Sequence, residues 1–364
     1  MKAKMSRIRI GTRGSRLALK QASLVQEALR RADSRIETEI IVLRTKGDKI
    51  QDKPLSEIGD KGVFASEFEQ ALLKKEIDMA VHSAKDLPAV LAAGLTIAAV
   101  LPRADVRDVL VVPKGGRLPS LAVEYGTEGR EAPDIENHRV FVMGTGSRRR
   151  QLQAGQLWTN VTCDNIRGNV DTRLRRLQEG SYDGILLAKA GLDRLGVGTD
   201  SGRRDEFTFC PLPPGQFLPA ACQGIIAVEA VQDSDAAVLC REITDPETEL
   251  CFLVEREVLS RLSADCSEAA AAWCRREQEV LVLDVMYAGN RKRLTLGGDL
   301  QDVKKDAACQ TKDAAGRKAI CLISDGKKSG IGPVNAVDNA EIEAGLEMAR
   351  QAATLVKIKE KEQI

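Results

Sequence analysis

Short apolar runs alternate with segments of helical periodicity through the first two thirds of the chain, and this alternation restricts the fold more than any other feature. RIRIG (7–11) gives way to a turn and then to SRLALKQASLVQEALRRA, where Leu17, Leu19, Ala22, Val25 and Leu29 fall near one face of a helix. ETEIIVLRT, DMAVHSA and LTIAAVL read as further strands, with GVFASEFEQALLKKE as a second helix. VLVVP, VFVMG, a weaker apolar run around Val161 and YDGILLA continue the pattern. Parallel strands need crossovers, which helices supply, so the pattern predicts an α/β fold of open, mostly parallel sheets covered by helices. Ligands of such sheets sit at the carboxyl ends of the strands.

The remainder reads differently. Gly115 to Asn137 is a polar, Gly/Glu-rich insertion expected to form a loop, and PLPPGQFLPA (211–220) suits a hinge. GIIAVEA is a strand, and DSDAAVLCREITDPETELCFLVEREVLSRL holds two helices. EVLVLDVMYA, RLTLGG and a late helix form a small α+β unit, residues 301–338 read as irregular, and VKIKEKEQI as a frayed end.

A chain of 364 residues, 43% hydrophobic, can bury the cores of two or three domains. No apolar run approaches the ~18 residues of a membrane span, and MKAKMSRIRIG lacks the apolar centre of a secretory signal. Nine cysteines without a CxxC pair favour reduced thiols, hence the cytoplasm or an organelle stroma. His82 and His138 are the two histidines, leaving little scope for a metal site. The chemistry is therefore assigned to Asp, Lys, Arg or Cys.

The densest functional signal is FVMGTGSRRRQLQAGQLWTNVTCDNIRGNVDTRL (141–174). Two apolar runs each end at small or polar residues that open a helix. Arg148, Arg149 and Arg150 crowd the first opening, Arg167 and Arg173 the second. Free N–H groups at a helix start favour anions, and guanidinium forks match carboxylates at two points. With 54 basic against 53 acidic residues and 3% aromatics, the positive charge is local, which argues against a nucleic-acid surface and for a compact polyanion. Arg13 and Ser15 in GTRGSRLAL form a third opening of this kind. HSAKDLP sets Lys85 and Asp86 where a strand meets a proline-braked loop, and a carboxylate among cations there can hold or protonate a substrate amine. Lys61 and Phe64 in KGVF lie at a Gly-rich turn able to move.

Taken in order, GTRGSRLALKQA, IGDKGVF, HSAKDLP, TGSRRRQ, RGNVDTRL, LAKAGLDRLG and LPAACQG resemble the successive signatures of the porphobilinogen deaminase (hydroxymethylbilane synthase) family, from about Arg7 to Cys266. The resemblance implies a monomer that joins four porphobilinogen molecules head to tail, releasing ammonia each time, and frees hydroxymethylbilane by hydrolysis. It also implies a dipyrromethane cofactor on a cysteine thioether. The implied fold has two lobes like type II periplasmic binding proteins, 1–104 with 217–233 and 105–216, and a third, cofactor-carrying domain, 234–364. By motif, Asp86 resembles the catalytic carboxylate with Lys85 beside it. Arg13, Ser15, Lys85, Thr145, Ser147, Arg149, Arg150, Arg167, Gly168 and Arg173 resemble cofactor- and substrate-binding residues, with Asn169 shaping the RGN turn. Arg194 is expected at a substrate carboxylate, and Lys61 and Phe64 in the active-site loop.

Attachment falls to Cys266, after Glu255 and Arg256, but Ala264 and Asp265 stand where the family has two glycines, and the following proline is missing. Both replacements restrict the backbone, and Asp265 disfavours a thiolate beside it. Cys274 is the nearest other thiol. Gly146 and Arg148 also depart from the family motif, and Cys222 stands where a small residue or glycine is common. Two alternatives remain open from sequence: a member impaired in cofactor loading that only binds pyrrolic acids, and a non-enzymatic two-lobed anion-binding module.

Overall fold

The computed structural model describes residues 7–43, 66–88, 90–119, 139–158, 160–198, 205–264, 268–296, 309–312, 318–321 and 339–361. Among these residues three five-stranded sheets organise the chain into two α/β lobes and a small C-terminal domain.

The first sheet runs in the order β2-β1-β3-β10-β4 and comprises β1 (Ile8–Thr12), β2 (Thr38–Val42), β3 (Met79–Ser83), β4 (Leu95–Val100) and β10 (Ile226–Val231). β1 pairs in parallel with β2 and β3, whereas β10 runs antiparallel between β3 and β4. The second sheet has the order β7-β6-β8-β5-β9, built from β5 (Asp108–Pro113), β6 (Phe141–Gly144), β7 (Val161–Asp164), β8 (Gly184–Ala188) and β9 (Phe207–Pro211). Here β6 is parallel to β7 and β8, and β5 lies antiparallel between β8 and β9. The two sheets share one plan: three parallel strands, then an antiparallel strand arriving from the other lobe, then an edge strand.

The helices follow from pattern and caps. α1 (Arg16–Ala32) starts at Ser15, whose hydroxyl accepts the Ala18 N–H, and buries Ala22, Val25 and Leu29 against β1 and β3. α2 (Ser66–Leu73) packs Phe68 and Leu72 on the opposite face of the sheet. In the second lobe α3 (Arg148–Leu157) and α4 (Val170–Gln178) are capped by Ser147 and Asn169, and α5 (Lys189–Arg194) follows β8 directly. α6 (Asp235–Arg241) returns to the first lobe, and α7 (Pro246–Leu262) begins with Asp245 as cap and proline in its first turn.

In the third sheet β11 (Ala270–Glu277), β12 (Val280–Tyr287) and β13 (Asn290–Leu296) form an antiparallel meander. β14 (Cys309–Lys312) and β15 (Lys318–Cys321) complete it. α7 and α8 (Asn339–Lys361) cover one face, with Leu250, Val254 and Val258 in one core with Leu281, Leu283, Met348 and Val356. Three strands of this sheet depart from the sequence reading. β11 begins with an alanine run of low strand propensity, and it forms because β12 supplies an eight-residue partner. β14 and β15 lie within the stretch read as irregular.

The chain crosses between the lobes twice, at residues 101–107 and again ahead of β10. The crossings touch where Gly224 (φ +90°) passes Ala104; a Cβ on Gly224 would sit 2.5 Å from the Ala104 carbonyl, so only glycine fits. Cys222 adopts a left-handed φ of 59°, which accounts for the small residue or glycine common at that position.

Candidate active site

At the carboxyl end of β3 the chain enters a single 3-10 turn, Ala84–Asp86, that leaves Lys85 half-buried and Asp86 exposed. Lys85 Nζ donates to Gln223 Oε1 at 3.4 Å. Across the cleft, Arg149 and Arg150 turn inward from α3. Arg149 donates to the Leu218 carbonyl at 2.6 Å and pairs with Asp108 Oδ2 at 2.8 Å. Arg150 donates to Asp108 Oδ1 through Nε (3.1 Å) and Nη2 (2.6 Å), and to the Leu186 carbonyl at 2.8 Å. Asp108, fully buried at the start of β5, is thereby held well below the usual carboxylate range, the two arginines outweighing its burial.

The second opening lies beside the first. Gly168 (φ +105°) turns the chain into α4, and the Asn169 side chain accepts the Thr172 N–H at 2.9 Å. Arg173 Nε donates to the Gly168 carbonyl at 2.8 Å. Burial, reinforced by the like charges of Arg150 and Arg167 and opposed by Asp86, pushes the Arg173 guanidinium down to about 10. Lys85 is pushed down to about 8, first by burial, with Asp86 and Asp108 opposing and Arg150 and Arg149 adding to the effect. These mutual influences place Lys85, Asp86, Asp108, Arg149, Arg150, Arg167 and Arg173 in one electrostatic neighbourhood, with positive charge in excess.

Other expected residues have local duties as well. Thr145 is buried and its hydroxyl accepts the Ser147 N–H at 3.3 Å; Ser147 accepts the Arg150 N–H and Ser15 the Ala18 N–H. Arg13 is half-buried between β1 and α1. Arg16 of α1 meets Asp171 of α4 at 2.9 Å, joining the lobes beside these openings. Arg194 lies elsewhere: its Nη2 donates to the Gly224 carbonyl at 2.6 Å, beside Leu24, Ala28 and Leu101, and burial pushes it down to about 10. Lys61, Phe64 and Cys266 fall outside the described residues.

Two participants escaped the sequence reading. Asp108 opens an otherwise apolar buried strand, and that lone charge was a usable signal. Gln223 is fully buried inside LPAACQG, a motif whose glutamine has no charge to draw notice. Of the ADC segment, Ala264 is the described residue. The left-handed residue ending α7 is Ser263 (φ 53°), while the Ala264 methyl packs into the core, so position 264 does not require glycine.

Matching lobes around a cationic cleft define a type II binding-protein-like α/β class suited to polyanionic ligands. Residues 8–239 match the family described as porphobilinogen deaminase, dipyromethane cofactor binding domain. Porphobilinogen deaminase of Acetivibrio thermocellus is 37% identical, covering 80% of this chain and 92% of its own. That of Syntrophobacter fumaroxidans is 39% identical over 77% of this chain and 84% of its own, and that of Nitrobacter winogradskyi 37% over 86% and 96%. The chain belongs to the porphobilinogen deaminase family.

The donor set fits the family's cofactor. A dipyrromethane bears an acetate and a propionate on each ring, and the cleft holds an excess of desolvated cations that such carboxylates would neutralise. Among the described residues no cluster of three or more His, Cys, Asp or Glu is placed to hold a metal, and no helix is long and apolar enough to cross a membrane.

Proposed function

We propose that this chain condenses four porphobilinogen molecules head to tail with loss of ammonia and releases hydroxymethylbilane by hydrolysis, feeding tetrapyrrole synthesis. The observation that carries this is the joining of Lys85 and Asp86 from one lobe with Arg150 and Arg173 from the other in one cationic cleft. Arg13, Ser15, Thr145, Ser147, Arg149, Arg150, Arg167, Gly168 and Arg173 hold the cofactor, directly or by shaping the three helix openings, and Cys266 anchors it. Bound there, the dipyrromethane supplies the pyrrole carbon onto which the product chain is built.

The protein's own groups do the rest. Arg13, Arg167 and Arg173 fix substrate carboxylates, so that the aminomethyl group faces Asp86, while Arg149, buried on Asp108 and the Leu218 carbonyl, acts through the charge it leaves at the cleft. Loss of ammonia leaves positive charge on the pyrrole, and the Asp86 carboxylate stabilises it where it develops. Lys85, able to exchange a proton near pH 8, is suited to keep the departing amine protonated. Arg194 donates to the Gly224 carbonyl through Nη2, and its guanidinium has further N–H groups with which to take a substrate carboxylate. Lys61 and Phe64, outside the described residues, are assigned to the active-site loop by their motif alone. The reading includes a monomer in the cytoplasm, or in an organelle stroma.

Intact mass of the purified chain tests it. Two linked pyrrole units should add their mass to the wild type and not to Cys266→Ser, and porphobilinogen should add further units stepwise. A chain that stays unmodified after incubation with porphobilinogen, and releases no ammonia, overturns the proposal.

A further inference from the structure

Between the Lys85 ammonium and the Asp108 carboxylate stands one uncharged group, the side chain of Gln223. It is fully buried, and its orientation is settled by its partners. Nε2 donates to the Val106 carbonyl at 2.8 Å and to Asp108 Oδ1 at 3.1 Å, so Oε1 is left to accept from Lys85 at 3.4 Å. The backbone is pinned too: Gln223 N–H donates to the Ala220 carbonyl at 3.0 Å, and its own carbonyl accepts from Arg103 Nε at 2.9 Å. The residue sits where the chain returns to the first lobe, so one amide touches Lys85 of that lobe and Asp108 of the other.

We infer that Gln223 is a positioning residue: its amide fixes Lys85 against the Asp108–Arg149–Arg150 cluster and keeps that lysine from a direct ion pair. This rests on the reading of Lys85 as a working group of the cleft. Amide and carboxylate differ here in a specific way. A glutamate at 223 would place a second negative charge against Asp108 and hold Lys85 protonated. An apolar side chain of the same length would strip Lys85 of its acceptor and ease loss of its proton. The other charges facing Lys85 are Asp86 on its own turn, Asp108 from β5, and Arg149 and Arg150 from α3. These four residues are unchanged in both variants, which alter only the amide that links Lys85 to Asp108, so a change in Lys85 reports on position 223.

The test uses the full chain with Gln223→Glu and Gln223→Met, checked for folding by circular dichroism. Acetylation of Lys85 by acetic anhydride, followed by mass spectrometry across pH, reads its free-amine fraction without turnover. Wild type should show a midpoint near pH 8. The glutamate variant should shift it upward by about one unit, labelling about fivefold more slowly at pH 8, and the methionine variant should shift it downward. Unmoved midpoints in the folded variants overturn the inference; if the glutamate variant does not fold, the methionine variant decides alone. The alkaline limb of turnover on porphobilinogen should move with each midpoint. Midpoints that move while that limb stays fixed would remove Lys85 from the reaction and overturn the positioning role with it, whereas absence of turnover in wild type would refute the proposed function.

Discussion

Replacing Glu255 with alanine should be among the most damaging single changes outside the cleft. Its carboxylate has no exposure and takes four donors: Arg103 Nη1 at 2.6 Å, Arg103 Nη2 at 3.2 Å, and the N–H groups of Cys222 (2.5 Å) and Cys274 (2.7 Å). Those donors come from the first crossing, the second crossing and β11, so this one side chain ties the C-terminal domain to both crossings. Stranding the buried Arg103 charge costs about 3–5 kcal/mol. The two orphaned N–H groups add about 1–3 kcal/mol each. Even with incomplete additivity, the loss should exceed about 5 kcal/mol, beyond the usual range for a point change. Removing both charges together, as Arg103→Met with Glu255→Leu, should recover the ion-pair part and leave about 2–6 kcal/mol from the N–H groups. Urea unfolding followed by the fluorescence of Trp273, which neighbours Cys274 in β11, measures both. A Glu255→Ala protein within about 1 kcal/mol of wild type would refute the reasoning, as would a double variant no more stable than the single one.

Other outcomes follow from the same geometry. Asp86→Asn should fold normally, since the side chain is exposed, yet lose about 100-fold or more in turnover; steady-state ammonia release checks this. Gly168→Ala must hold φ +105° with a Cβ 2.7 Å from Thr172 Cγ2, costing about 1–3 kcal/mol. It should also raise KM, because the Gly168 carbonyl orients Arg173; thermal melts and kinetics read the two effects. Asp108→Asn tests pH linkage. The native Asp108 pKa is depressed, so its contribution is complete above the unfolded value near 4 and is lost as pH falls through the native one. The variant should be less stable than wild type at pH 7, and the gap should narrow steadily below about pH 4 in urea titrations.

Periodicity made the lobes legible. Strand and helix runs from RIRIG to YDGILLA fall on β1 to β8 and α1 to α4, because each element buries one face and its caps are written in Ser15, Ser147 and Asn169. What eluded the sequence depends on partners distant along the chain. β11 owes its form to β12, and the burial of Arg149 and Arg150 depends on Asp108, about 40 residues earlier. An arginine pair at a helix start reads as an outward anion site; the structure commits both guanidinium groups to an internal carboxylate and two carbonyls. Their service to a ligand is thus partly indirect, through the charge they leave at the cleft.

The antiparallel placing of β10 between β3 and β4 has a consequence for how the chain is made. When residue 100 leaves the ribosome, four strands of the first sheet are present but its fourth position is vacant, and β3 and β4 have nothing between them. The second sheet, whose strands run without interruption from 108 to 211, has all five available before β10 is synthesised. The lobe begun first is therefore finished second. During that interval its apolar edges depend on the rate of synthesis and on chaperones for protection, so slow codons between 101 and 225 should lower the soluble yield more than the same codons after 231.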